Sequence, residues 1–408
     1  MYKLKNKMAL KRKGIWKRSV SLKSARQTLG ALGLASLSFV CIASDLGNYD
    51  GNPARTWTSL EIAGLKARTF SQPNLLQAGE AVQRRYLQYV PSYILKQSRS
   101  QPGSKYPLVI ALHGANQSAE LFRDNDLGDQ LERLADREGF MVIYANAYVA
   151  NGSPSQQNPG NPLWANTGYW RGCTGHQGDN DGFFNVDDTD YLRRIIAQVQ
   201  RERLPVDLNR IYLMGSSNGG EMVQRAAREM PTELAGVGVV IPVNTDPATH
   251  DFLFCVKAEQ NPVSMMFIYS PGDPWLSWIY ASIGFNYGNA MADSVGRWRD
   301  ALGINPRTER VTQLPNLVNE GEGYSGALSW ALATMNSTIT RYDYGVGNHG
   351  ANFSVLQMNI AAGHGWPRMA KPTSLDSVAN SQMGFINSDI NAEEVLWDFL
   401  KGQIRSSR

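Results

Sequence analysis

The chain has 408 residues, 42% hydrophobic and 19% charged, the composition of an ordinary globular protein with room for one large α/β domain or two smaller ones. Its formal charge of +4 is a local effect: the first 44 residues hold ten Lys or Arg and no acid, leaving 30 bases against 36 acids elsewhere. A nucleic-acid partner therefore loses its electrostatic basis.

The basic start precedes an apolar run, Thr28 to Ala43 (TLGALGLASLSFVCIA). A cationic stretch followed by an apolar run too short to span a bilayer comfortably reads as a secretory signal over 1–43, with Met8 an alternative start. The alternatives are an uncleaved anchor or a lipid on Cys41, although Phe39 and Val40 make a poor lipid-attachment motif. The mature protein is expected to be secreted, extracellular or periplasmic, with no stable membrane insertion. Cys173 and Cys255 then remain, an even number in an oxidising compartment, and are expected to form a disulfide. Two free buried thiols are the open alternative.

Residues 44–83 read as a polar lead-in, and 84–408 as one catalytic domain. RRYLQYVPSYI alternates and ends in a proline turn, as an edge strand does. Tyr106 to Gly114 (YPLVIALHG) carries the continuous apolar core of a central strand covered on both faces. A helix is expected over 125–139, with apolar residues at helical spacing and a terminal glycine. FMVIYANAY, 140–148, is a second buried strand, and 150–186 is a long Gly-, Asn- and Pro-rich loop. An amphipathic helix with acids in its first turn covers 187–205, and RIYLM, 210–214, is a third strand. A helix starts at NGGEMVQ, strands follow at 234–243 and 264–270, and a helix at 292–303. Two late strands, 337–345 and 353–363, precede a closing helix, INAEEVLWDFLKGQ. Strands alternating with helices imply a mostly parallel sheet wrapped on both faces.

Between the strand RIYLM and its following helix lies Gly215-Ser216-Ser217-Asn218-Gly219, a G-x-S-x-G. A strand–turn–helix with this spacing lifts the central serine above the sheet, and the flanking glycines avoid collisions across the turn. Ser217 is thus a candidate nucleophile; the bland reading is a tight turn chosen for packing. Where such a turn is catalytic, an acid and then a base follow it in the chain. Of the five histidines, His250, His349 and His364 follow Ser217. His364, in the glycine-bracketed loop AAGHGWP between a strand and the last helix, is the expected base; His349 reads as a hairpin turn and His250 comes too early. Asp273, in FIYSPGDP after a strand, is the expected acid, with Asp246 its runner-up. The oxyanion would be held by the amides of Asn218 and Ala115, the latter turned inward by Gly114. His113 is expected to support that loop structurally. No metal or other cofactor is expected: Cys173, His176, Asp179 and Asp181 crowd one loop without a full ligand spacing.

In combination these segments resemble the extracellular polyhydroxybutyrate depolymerase family of α/β-hydrolases, which also contains feruloyl-esterase-like members. LVIALHGANQSA is similar to its L-H-G-x-x-Q-S loop, LADREGFMVIYANA to its L-A-D-x-x-G-F-x-V-x-Y-P segment, IYSPGDPW to I-H-G-x-x-D-P and AAGHGWP to G-G-G-H-x-W-P. RRYLQYVPS resembles its opening strand, and Asp187-Asp188 and VDLNRIYLMGSSNGGEM its D-D and elbow regions. The resemblance covers about residues 84–402 and implies the α/β-hydrolase fold and a Ser217, Asp273, His364 triad. Ala115 stands where the family commonly has Cys, and Tyr269-Ser270 where it has H-G. The implied activity is hydrolysis of a polyester, polyhydroxybutyrate or its oligomers, by a monomer. Alternatives are a feruloyl or acetyl esterase, a hydrolase of the β-diketones of oxidised polyvinyl alcohol, and a non-catalytic binder of the same fold. Of the tryptophans near the motifs, Trp170, Trp275, Trp278 and Trp366, the first choice as substrate contact is Trp366 and the second Trp275; core packing is the alternative for each.

Overall fold

A computed structural model describes residues 64–75, 78–115, 117–148, 186–242, 263–282, 284–318, 336–347, 350–359, 362–369 and 386–405. Its strands are β1 (Leu65–Pro73), β2 (Ala81–Tyr89), β3 (Tyr106–Leu112), β4 (Met141–Ala145), β5 (Val206–Ser216), β6 (Gly236–Val240), β7 (Ser264–Tyr269), β8 (Arg310–Gln313), β9 (Ile339–Val346) and β10 (Asn352–Met358). They form one sheet in the order β1-β2-β4-β3-β5-β6-β7-β10-β9-β8. The run from β4 to β10 is parallel, and antiparallel strands close both edges.

Where both faces are covered the central strands are mostly apolar, on β5 from Ile211 to Met214, and their pleat divides the side chains between two cores. From β3, Leu108, Ile110 and Leu112 point to one core, and Val109 and Ala111 to the other. On β5, Ile211 and Leu213 separate in the same way from Tyr212 and Met214. The first core is closed by α3 (Asp188–Arg201), α4 (Asn218–Glu229), α5 (Pro274–Ser282) and α6 (Tyr287–Ala301), and α1 (Ser92–Ser100) adds Ile94 to it. The second is closed by α2 (Gln130–Glu138) and α7 (Ala392–Leu400), which bring Leu131, Leu134, Leu396 and Trp397. Each fully buried Leu, Ile or Phe contributes about 1.5–3 kcal/mol of transfer free energy. Glycine on β6 lets α7 approach: a methyl on Gly238 would lie 2.6 Å from Leu396 Cδ2.

Several elements differ from the sequence expectation. The lead-in supplies β1, so the boundary between 83 and 84 falls inside β2, and RRYLQY belongs to an inner strand. The helix expected over 125–139 begins only at Gln130; a single α-turn, Ala119–Leu121, and a π-helical turn, Phe122–Leu127, precede it. Asn286 caps α6 and starts it at Tyr287, earlier than expected. α5 and β8 were not anticipated. α5 is apolar around much of its surface and β8 has four exposed residues, so neither carries a periodic signal.

The topology places the candidate site. β3 lies between β4 and β5, and Leu112 pairs in register with Gly215. The chain leaves β3 through Gly114 and β5 through Ser217, so both loops open at the same end of adjacent strands. In open α/β sheets, crevices form where connections diverge to either side of a strand in this way. Among the described residues, no helix is long and apolar enough to cross a membrane.

Candidate active site

Ser217 has φ 53° and ψ −117°, a left-handed conformation rare for a residue with a side chain. It is held there from both sides. Its N–H donates to Val240 O at 2.9 Å, and its carbonyl accepts the first-turn amide of Glu221 at 3.0 Å. The glycines leave no room for substitution. A methyl on Gly215 would lie 2.5 Å from Gly219 O, and one on Gly219 would lie 2.4 Å from the carbonyl oxygens of both Leu112 and His113. Backbone strain of this kind, kept in place by its surroundings, is a recurrent feature of functional turns.

His364 and Asp273 meet this serine. His364 Nε2 is 2.8 Å from Ser217 Oγ, and Nδ1 is 2.7 Å from Asp273 Oδ2. A carboxylate only accepts, so Nδ1 carries the proton and Nε2 is free to accept the hydroxyl proton. Asp273 is fully buried and divides its oxygens: Oδ2 faces His364, while Oδ1 accepts the Leu276 amide at 3.0 Å in the first turn of α5. Proline at the first position of that helix and an aspartate before it are its start signals. The His364 loop is clamped from outside: a methyl on Gly365 would lie 2.5 Å from Ile386 Cγ1. Arg368 N also donates to Asn387 O at 3.0 Å.

A strand, a strained serine turn and a helix, set in a parallel sheet of this order, decide the fold. The chain has the α/β-hydrolase fold. No family model matches the sequence. A bifunctional acetylxylan esterase/xylanase from Neocallimastix patriciarum is 24% identical over 213 residues, 52% of this chain and 24% of that protein. The match therefore spans about a quarter of that relative's length. Among solved structures, an acetyl xylan esterase from Aspergillus awamori aligns with TM-score 0.42 and 12% identity, covering 74% of this chain and 94% of that one. A ferulic acid esterase aligns with TM-score 0.38 and 14% identity, covering 58% and 86%. The sequence relative is named as an ester hydrolase and xylanase, and its name does not include polyhydroxybutyrate.

The loop after β3 packs directly on the serine: a methyl on Gly114 would lie 3.4 Å from Ser217 Cβ. His113 lies fully buried beneath that loop. Its Nε2 accepts the Ala147 amide at 3.1 Å, so Nδ1 carries the proton and donates to Gly114 O at 2.7 Å. Burial lowers its pKa to about 4, keeping the ring neutral. Ala115 follows Gly114 on this loop and Asn218 opens α4; these are the positions expected to supply oxyanion amides.

Trp366 corrects the first choice of substrate contact. It is 1% exposed, its indole N–H donates to Glu393 Oε2 at 2.9 Å, and its ring meets Phe122 edge-on at 5.4 Å. Its place beside His364 in sequence reflects packing under the loop. Trp275 is half-buried and stacks at 5.6 Å on Trp278, which is 61% exposed. Trp170, Cys41, Cys173, Cys255, His176, Asp179, Asp181, Asp246, His250 and His349 lie outside the described residues. The expected disulfide therefore does too.

Sequence reasoning missed two groups beside the site. Glu221 is buried in the first turn of α4 and accepts from the Asn218 side chain at 3.1 Å; burial pushes its carboxyl well above the usual carboxylate range. Gln117 and Asp126 support the Gly114 loop. The sequence signal for Gln117 was its place at the Q of the L-H-G-x-x-Q-S resemblance, which assigned it no task; Asp126 had none.

Proposed function

We propose that the chain is a serine carboxylic-ester hydrolase acting by acyl transfer. One observation carries the reading: the hydrogen-bonded line Ser217 Oγ, His364, Asp273 on a turn held at positive φ. In this mechanism His364 Nε2 takes the Ser217 proton as Oγ attacks the ester carbonyl. Asp273 holds the ring in the tautomer that can accept it and stabilises the imidazolium that forms. The Ala115 and Asn218 amides stabilise the oxyanion, assisted by the positive end of α4. Collapse of the intermediate passes the proton from His364 to the leaving alcohol. Water then repeats the sequence on the acyl-enzyme and frees the acid.

The acyl group favoured is acetyl esterified to a polysaccharide, because the curated relative is named an acetylxylan esterase. The second reading is a polyester chain, which the motif resemblance favours, gripped along the stacked Trp275 and Trp278. Secretion through the basic and apolar start is part of both.

The test is a substrate panel of p-nitrophenyl acetate, acetylated xylan, methyl ferulate, amorphous polyhydroxybutyrate and a β-diketone, each with wild type and Ser217→Ala. Loss of about 10⁴-fold or more in kcat on Ser217→Ala is expected. Turnover that survives Ser217→Ala sinks the mechanism, and no turnover of any substrate leaves a binding protein of the same fold. Faster turnover of the polyester than of acetylated xylan or methyl ferulate would reverse the substrate order.

A further inference from the structure

The loop after β3 reaches Ser217 with Gly114, and side chains hold the Gly114 peptide. Its N–H at Gly114 donates to a side chain, Gln117 Oε1, at 3.0 Å. The other end of that amide, Gln117 Nε2, donates to Asp126 Oδ2 at 2.5 Å. An amide side chain has one acceptor end and one donor end. The carboxylate at Nε2 therefore dictates which way Gln117 faces, and keeps its oxygen aimed at Gly114.

Asp126 stands on the π-helical turn Phe122–Leu127, and π-turns concentrate at functional sites. This turn also reaches the His364 loop: Arg368 Nη1 donates to Asn125 O at 2.8 Å, and Arg368 lies four residues after His364. Burial pushes the Asp126 carboxyl up to about 6, against the pull of Gln117, Arg368 and His364. On the same turn, Arg123 is engaged by Glu132 and Asp124, which leaves the Asp126 carboxylate to Gln117.

We propose that Asp126 is a positioning residue: through Gln117 it fixes the Gly114 peptide, and with it the amide that follows, against the oxyanion formed at Ser217. The inference rests on the acyl-transfer reading. The consequence is a defect in the transition state and not in substrate binding. A displacement on the order of 1 Å at a reacting centre costs about 10²-fold in rate.

The experiment measures kcat and KM for p-nitrophenyl acetate with wild type, Ser217→Ala, Asp126→Ala, Asp126→Asn, Gln117→Ala and the Asp126→Ala/Gln117→Ala double variant, with a thermal melt of each. Asp126→Ala and Gln117→Ala are each expected to lower kcat by about 10²-fold with KM nearly unchanged, the sign of an interaction made only in the transition state. The double variant is expected to lose no more than the worse single, because both break one chain. Asp126→Asn keeps an acceptor for Gln117 and is expected to stay within about threefold of wild type. Losses that multiply in the double variant, or a full kcat in Asp126→Ala, overturn the proposal. Should Asp126→Ala fail to fold, Gln117→Ala against Asp126→Asn decides: a full kcat in the former or an equal loss in both overturns it. Activity indifferent to Ser217→Ala overturns the acyl-transfer reading itself, so the two failures are distinguishable.

Discussion

Two arms meet at Ser217, and they are built by different means. The elbow from Gly215 to Gly220 is fixed by backbone against backbone, at approaches that a single methyl would reduce to 2.4 or 2.5 Å. The Gly114 arm is fixed by side chains: His113 from beneath, and Gln117 with Asp126 from beside it. Steric exclusion cannot relax without moving a strand or a helix, so the elbow's shape is inseparable from the fold. A hydrogen-bonded amide can be removed while the strands stay where they are. The difference teaches that the Gly114 arm should be alterable at little cost in stability, whereas the elbow should not.

Substitutions can break or sharpen this contrast. The largest effect belongs to Gly219→Ala, which drives a methyl into the carbonyl oxygens of Leu112 and His113. More than about 4 kcal/mol of stability should be lost, read from urea unfolding. A wild-type urea midpoint would mean the elbow is softer than its contacts imply.

Next is His113→Gln, which leaves Gly114 O and the Ala147 amide poorly matched and should cost about 2–3 kcal/mol at pH 8. The same residue makes stability pH-dependent. Its folded pKa, about 4, lies below its ordinary 6.5, so the unfolded chain binds the proton first as pH falls. Stability from this group is complete above pH 6.5 and is lost progressively down to about 4, at up to about 1.4 kcal/mol per unit. The wild type should therefore lose more stability than His113→Gln between pH 7.5 and 5; parallel curves would show the ring is not held neutral.

Trp366→Phe should cost about 1–2 kcal/mol by removing the indole N–H that Glu393 Oε2 accepts, with KM for every ester unchanged. A raised KM would return Trp366 to the substrate. The smallest stability effect is expected for Gln117→Ala, less than about 1 kcal/mol, although its kcat falls sharply. A large destabilisation would erase the distinction between the two arms.

The elbow was legible because its requirements are local: an apolar strand, glycines two residues either side of Ser217, and a helix after them. His364 and Asp273 were legible through their order and their places after strands. The Gln117–Asp126 pair was not, since its geometry depends on a π-turn that has no periodic signature. Trp366 was misread for a related reason. Adjacency to His364 in the chain says nothing about which side of the loop the indole takes, and Phe122 and Glu393, both distant in sequence, decide it. β1 lay hidden in a polar segment because only part of that edge strand meets the core.

By itself, then, the sequence determined the alternation of strands and helices, the two-faced burial of the central strands and the turn that presents Ser217, because each follows from hydrophobic period or glycine sterics within a few residues. Only the tertiary structure decided that Glu221 and Asp126 lie beside the site, which tryptophan is core, and that Gln117 links the Gly114 amide to Asp126. Those contacts join segments far apart in the chain, and no local propensity encodes a distance that only the folded sheet creates.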